Sequence, residues 1–190
     1  MKTETKIIKS LIEDGEMTIR ELSKKIKADY KISHMAVNNL IKKKVINTKN
    51  IGNSILCSLN KDYFGIELYK AEDERRTEIL KNKDINQLLK HVLYKVKTTF
   101  FVLLLFGSYA KRTQTKNSDI DLILIFRESG FEDKINEILS LIPLKTHSLV
   151  FTEEEFVRMK DSKESNVVKE ALSKYVVLYN IESFYRLKND

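Results

Sequence analysis

Cysteine and proline each occur once in the 190 residues, glycine only five times, and no apolar run is longer than the seven residues FFVLLLF at 100–106. Each scarcity excludes something. The single cysteine, Cys57, has no partner for an internal disulfide or a zinc site, so it reads as an ordinary reduced residue. Few glycines and prolines, with 42% hydrophobic and 32% charged residues, exclude fibrous and disordered chains and point to a helix-rich globular protein. Seven apolar residues cannot cross a bilayer. The polar start MKTETK lacks the hydrophobic segment of a signal peptide, so a cytoplasmic location with no membrane partner is expected.

The net charge of +7 is unevenly placed. Residues 1–60 hold twelve Lys/Arg against six Asp/Glu, and the remaining 130 hold 22 against 21. A basic excess confined to one small segment suggests a polyanion partner. A generally lysine-rich composition would have spread it over the whole chain.

Within that segment, Ile7, Ile8, Leu11 and Ile12 follow helical spacing, and Gly15 supplies a stop. TIRELSKKI opens with Thr18 three residues before Glu21, a capping box in which each side chain satisfies a free backbone N–H at the helix start. SHMAVNNLIKKKV predicts a third helix capped by Ser33. It buries Met35 or Ala36 with Val37, Leu40 and Ile41, and exposes His34, Asn38, Asn39, Lys42, Lys43 and Lys44. VINTKNIGNSILCSLN then predicts two short strands around a turn near Gly52.

Three short helices and a hairpin in about 60 residues resemble a winged helix-turn-helix domain. The resemblance implies that the third helix enters the major groove of double-stranded DNA and the hairpin reaches an adjacent groove or backbone. His34, Asn38 and Asn39 are then candidates for base contacts, and Lys42, Lys43, Lys44 and Lys49 for phosphate contacts. The same residues would equally serve as the solvated face of an amphipathic helix. By analogy with such modules, a homodimer matching two half-sites is conceivable.

Residues 61–97 contain no Pro/Gly-rich linker. Ile66, Tyr69, Ile79 and Leu80 suggest a connecting helix over 61–82; Ile85, Leu88, Leu89, Val92 and Val96 suggest a second helix capped by Asp84. The third region, 83–190, carries the chemistry.

There a buried strand, FFVLLLF, runs into Gly107-Ser108, a short polar helix and a second strand, SDIDLILIF. A strand that ends in a small-residue turn opening a helix leaves backbone N–H groups free beside its tip, where phosphate can bind. Asp119 and Asp121 are two residues apart in the second strand, so their side chains share a face, with Cα atoms roughly 6.5 Å apart. Two carboxylates that close repel unless a cation lies between them. Mg²⁺ or Mn²⁺ suits that place, because Mg²⁺ takes oxygen ligands and is usually held by one or two carboxylates with substrate phosphates.

FGSYAKRTQTKNSDIDLIL resembles the signature of the DNA polymerase β-like nucleotidyltransferases, most closely their minimal branch, and the similarity extends weakly from about residue 85 onward. With the first 60 residues read as a winged helix-turn-helix and 61–82 as a connecting helix, this second resemblance completes an α+β chain by implying, over 83–190, a mixed sheet flanked by helices. It implies Mg²⁺-dependent transfer of a nucleoside monophosphate from a nucleoside triphosphate, ATP being the expected one, to a hydroxyl acceptor. Carried over, Gly107 and Ser108 hold phosphate, with Lys111 and Arg112 beside them, while Asp119 and Asp121 hold metal. Minimal members often resemble antitoxins that modify a separate HEPN-type toxin, which would make the acceptor a protein.

Two positions depart from that pattern. Arg112 stands where a glycine is usual, and the strand expected to carry a third carboxylate, LKTHSLVF, has no Asp or Glu. Lys145, Thr146 and His147 occupy the positions in question, and His147 could act as the base. Glu155, three residues after Thr152, reads as a second capping box rather than a metal ligand. Three readings follow: a transferase with its own DNA-binding module, a regulator that binds nucleotide without reacting, and an interaction module that retains only the fold.

Overall fold

The computed structural model describes residues 2–98 and 100–189. The chain divides into two compact units, Met1–Arg75 and Arg76–Asp190. Among the described residues no helix is long and apolar enough to cross a membrane.

The first unit contains α1 (Thr3–Asp14), β1 (Met17–Thr18), α2 (Ile19–Ile26), α3 (Tyr30–Lys42), β2 (Ile46–Ile51), β3 (Ser54–Leu59) and the start of α4 (Ile66–Ile79). Its three strands form an antiparallel sheet in the order β1-β3-β2. Ile7, Ile8, Leu11, Leu22, Val37 and Leu40 are buried, giving each of the first three helices one apolar stripe. Both halves of the capping box are made: Glu21 N–H donates to Thr18 Oγ1 (3.2 Å), and Thr18 N–H donates to the Glu21 carboxylate (2.8 Å). Gly52 takes φ +55° at the β2–β3 turn, in the left-handed region that favours glycine.

Several local expectations shift. Helix α3 begins at Tyr30 rather than at Ser33, because the Asp29 side chain accepts from Lys31 N–H (2.7 Å) and caps it. Ser33 is buried inside the helix and donates its hydroxyl to Asp29 O (3.0 Å). Ala36 is buried, while Met35 (59%) and Ile41 (37%) are exposed. On α4 the buried residues are Leu68, Ala71, Glu72 and Arg75, and Ile66 is exposed. The helix thus buries an ion pair, Arg75 to Glu72 at 2.7 Å, with Arg75 also 3.4 Å from Glu13. Buried charges survive only when paired in this way, and nothing in a hydropathy pattern distinguishes them from surface charges.

The second unit holds α5 (Lys83–Lys95), β4 (Phe101–Phe106), α6 (Gly107–Lys111), β5 (Ile120–Phe126), α7 (Glu132–Ser140), β6 (Thr146–Thr152), α8 (Glu153–Asp161), α9 (Val167–Ser173), β7 (Val176–Tyr179) and α10 (Ile181–Asn189). Helix α5 is capped by Asn82, which accepts from the N–H groups of Asp84 (3.0 Å) and Ile85 (3.2 Å), so Asp84 lies inside the first turn. The sheet order is β6-β5-β4-β7, with β5–β6 parallel and the other pairs antiparallel. This is an α+β architecture with a mixed sheet flanked by helices. All of β4 is buried, and in β5 only Asp121 is not. Leu103, Leu105, Leu122 and Leu124 pack with Ile85, Leu88 and Val92 of α5 and Ile135 and Leu139 of α7. The alternate residues, Asp121 and Ile123 among them, face the other side of the sheet.

Cys57 lies in the β3 interior at 0% exposure, and burial pushes its thiol from an ordinary value near 9 to about 11. A raised thiol pKa contributes stability below the unfolded value that is lost as pH rises through the folded one. Native protein is therefore expected to resist thiol alkylation at pH 8 and to react fully once unfolded in urea. Replacing Cys57 with Ala should flatten the fall in stability between about pH 9 and 11. Rapid native alkylation would contradict this.

Candidate active site

The antiparallel register sets Phe106 of β4 opposite Asp121 of β5, and the parallel register sets Asp121 beside His147 of β6. One rung of the sheet therefore carries the end of β4, a carboxylate and an imidazole. Asp121 is 25% exposed and His147 58%, and His147 Nδ1 lies 3.5 Å from Asp121 Oδ1. Of the candidates for the third position, only His147 shares the rung. Thr146 points to the opposite face and Lys145 precedes the strand.

The chain turns into α6 directly after Phe106. Gly107 adopts φ +65°, and a Cβ there would fall within the Asp121 carboxylate, 2.8 Å from its Cγ. Both the backbone angle and the close approach require glycine. No side chain caps the start of α6. Its amides remain available to an anion beside Gly107 and Ser108.

Arg112 ends α6 at φ 58°, ψ 33°, the left-handed conformation a glycine would take without strain. Its guanidinium reaches Glu78 at 2.6 Å, and Lys111 lies 3.6 Å from Glu170. Both cations expected near phosphate thus rest on carboxylates. The Glu78 pairing, 34 residues away, has no local sequence signal. The following loop is tied by Ser118: its hydroxyl accepts from Thr115 N–H (2.9 Å) and its own N–H donates to Thr115 O (3.2 Å).

Asp119 precedes β5, which begins at Ile120, and it is exposed. It lines an open cleft of about 690 Å³ with Asn136 and Ser140 of α7, Lys145, and Thr146, His147 and Ser148 of β6. Asp121, Gly107 and Ser108 are not among the residues lining that cleft; His147 belongs to both arrangements. Among the described residues no group of three or more His, Cys, Asp or Glu side chains comes together as a metal centre. Thr152 and Glu155 form the capping box of α8, which accounts for the acidic run there.

In the first unit, His34 and Asn38 are hydrogen-bonded to each other (3.2 Å), and Asn39 donates to Glu4 (3.4 Å). Lys43 lies 3.1 Å from Glu4 and 3.2 Å from Glu67; hydrogen bonds to these two carboxylates hold its ammonium above the usual lysine range. The Tyr63 hydroxyl donates to Glu67 as well. That bond holds the Glu67 carboxyl below its ordinary range, while burial and the same bond push Tyr63 up to about 12. Lys42, Lys44 and Lys49 are exposed, and among the described residues none forms an ion pair.

Residues 83–183 match the family described as polymerase beta, nucleotidyltransferase. A solved structure from Sulfolobus solfataricus with a provisional nucleotidyltransferase assignment is similar at 19% identity and a TM-score of 0.36, covering 58% of this chain and 88% of that one. No curated protein gives a significant match.

Gly107→Ala should cost about 2 kcal/mol or more in urea unfolding, since a left-handed angle and a displaced carboxylate are imposed together. Arg112→Gly relieves the same kind of angle and loses only an exposed ion pair, so its stability should equal or exceed the parent's by up to about 1 kcal/mol. A Gly107→Ala protein as stable as the parent would contradict the first expectation.

Proposed function

The chain belongs to the polymerase beta nucleotidyltransferase family through residues 83–183, and from that premise we propose that it transfers a nucleoside monophosphate from a nucleoside triphosphate to a hydroxyl acceptor. The observation that carries the reading is the rung Phe106–Asp121–His147 with Gly107 pressed against Asp121. It joins a glycine turn, a carboxylate and a proton acceptor at one place.

Gly107 and Ser108 hold the phosphates through the open amides of the turn, and the weak surface pairs of Lys111 and Arg112 can give way to phosphate oxygens. Asp119 and Asp121 are both open to solvent, and two carboxylates completed by phosphate oxygens and water are a donor set that Mg²⁺ or Mn²⁺ accepts. A divalent ion held there would offset the charge gathering on the transferring phosphate. The acceptor oxygen bonds to the α-phosphorus, the bridge to the β-phosphate breaks, and pyrophosphate leaves. With Nδ1 turned to Asp121, His147 has Nε2 left to take the hydroxyl proton. ATP is the expected triphosphate, and a protein such as a HEPN-type toxin is one acceptor consistent with the family.

The first unit is proposed to be a winged helix-turn-helix domain that binds double-stranded DNA. Its helix and strand order and the exposed Lys42, Lys44 and Lys49 support this. Lys43, Asn39, His34 and Asn38 would have to leave their present partners to take part. A second reading, a regulator that binds nucleotide without transfer, is favoured by one observation: β6 supplies a histidine where a third carboxylate is expected.

Incubation with labelled triphosphate, Mg²⁺ and candidate acceptors should give labelled product, and Asp119→Asn or Asp121→Asn should lower the yield about 100-fold or more. His147→Asn should lower it roughly 100-fold with nucleotide affinity retained. Nucleotide binding that depends on Asp121 with no transfer to any acceptor would leave the regulator standing. For DNA, changing Lys42, Lys44 or Lys49 to Gln should each reduce the slope of log affinity against log salt by roughly 0.9. Lys43→Gln should leave that slope unchanged; a reduced slope would show that Lys43 exchanges its carboxylates for phosphate.

A further inference from the structure

Helical spacing marks Met35 as a candidate for the core, but the structure turns it outward at 59% exposure. The buried residues of α3 are Ser33, Ala36, Val37 and Leu40. On the opposite side Lys31, Met35, Asn38 and Lys42 recur at steps of four, three and four residues, and all four are exposed, so they form one outer stripe. A lysine stands at each end of the stripe, the two separated by roughly 16 Å along the axis at 1.5 Å per residue. Between them lie a thioether and an amide.

The charges decide what kind of surface this face fits. Helix α3 contains no Asp or Glu, and among the described residues Lys31 and Lys42 form no ion pair. Two carboxylates border the helix and both are engaged: Asp29 accepts from Lys31 N–H at the helix start, and Glu4 holds Lys43 and Asn39. On its flank Met35 also lines, with Ile32 and Ala36, a groove of about 270 Å³ beside Thr3 and Glu4 of α1. Apolar contact with another protein would use that flank but gives no reason for a free lysine at both ends. Duplex DNA gives one. A helix of this span seated across a major groove roughly 12 Å wide meets phosphates at its ends and base edges at its middle, and the apolar group presented there is the C5 methyl of thymine. Asn38 is bonded to His34 (3.2 Å), whereas Met35 has no polar partner to give up.

We propose that Met35 is a specificity residue of the first unit: its side chain packs on the C5 methyl of a thymine in the major groove while Lys31 and Lys42 hold the flanking phosphates, so the unit prefers A·T pairs. This rests on the DNA-binding reading of that unit. It adds a base preference and two contact residues, Lys31 and Met35, to the candidates marked by polarity. The lysines set affinity and its salt dependence, because they meet phosphates that every sequence carries. Met35 sets the choice of base, because burying one methyl group is the contact that thymine offers and uracil lacks.

The test titrates the full chain against three duplexes followed by fluorescence anisotropy: alternating adenine and thymine, the same duplex with uracil in place of every thymine, and alternating guanine and cytosine. The thymine duplex should bind about fourfold more tightly than the uracil duplex, the worth of one buried methyl group, and the G·C duplex no better than the uracil one. Met35→Ala should bind the thymine and uracil duplexes equally with its salt slope unchanged, and Met35→Leu, which keeps the apolar bulk, should restore the difference. Lys31→Gln should lower the salt slope by roughly 0.9 and keep the thymine preference. Met35 is exposed, so an unchanged urea midpoint will show that Met35→Ala folds as the parent does. Equal affinity of the parent for the thymine and uracil duplexes would overturn the proposal, as would a preference that survives Met35→Ala. If that variant instead lowers the mass seen by light scattering and leaves the preference intact, Met35 belongs to a contact between two copies and the proposal fails. Salt-dependent binding that ignores the methyl sinks the base preference alone, whereas no binding to any of the three duplexes sinks the DNA reading with it.

Discussion

The second unit is organised around the contact between Gly107 and Asp121. Strand β5 is buried along its length except at Asp121, whose carboxylate fills the space that a Cβ at position 107 would take. Any other residue at 107 would need a left-handed backbone angle and the space the carboxylate fills. The glycine thus lets β4 pair with β5 up to its last residue and still turn at once into α6. With that register set, the parallel pairing of β6 brings His147 to the same rung.

The charged side chains fall into two kinds of pair. Arg112 and Lys111 sit on Glu78 and Glu170 at the surface, where an ion pair contributes little because water screens it. The pair in α4 differs in kind. Arg75 and Glu72 are buried together, so their charges are paired away from water rather than screened by it. In the first unit, Lys43 is held between two carboxylates, so the basic excess of that segment is less available to a polyanion than the composition implies.

The features legible in the sequence were those with local causes. Both capping boxes could be read because their hydrogen bonds span three residues, and the apolar stripes of α1, α2 and α5 because helical spacing repeats within one element. The Gly107-Ser108 and Asp119-Ile120-Asp121 stretches stood out because glycine and carboxylates are conspicuous where a strand needs apolar residues. Reading failed where a stronger local competitor lay just upstream: Asp29 displaced Ser33 as the cap of α3, and Asn82 displaced Asp84 as the cap of α5. It failed for α4 because a paired buried charge has the same letter as a solvated one.

By itself the sequence determined the chemical vocabulary of the site, a glycine turn, two carboxylates and no third, since these follow from residue identity and short spacing. Only the tertiary structure decided which side chain of β6 stands beside Asp121. The parallel register of β5 and β6 sets His147 rather than Thr146 beside Asp121, and a one-residue slip would have turned a different side chain to that face. It also decided that Asp119 lines a cleft while Asp121 packs on Gly107, and that β6 stands at the end of the sheet order among the described residues. Register and edge position depend on how strands distant in sequence pair, and no periodicity within a single strand encodes that pairing.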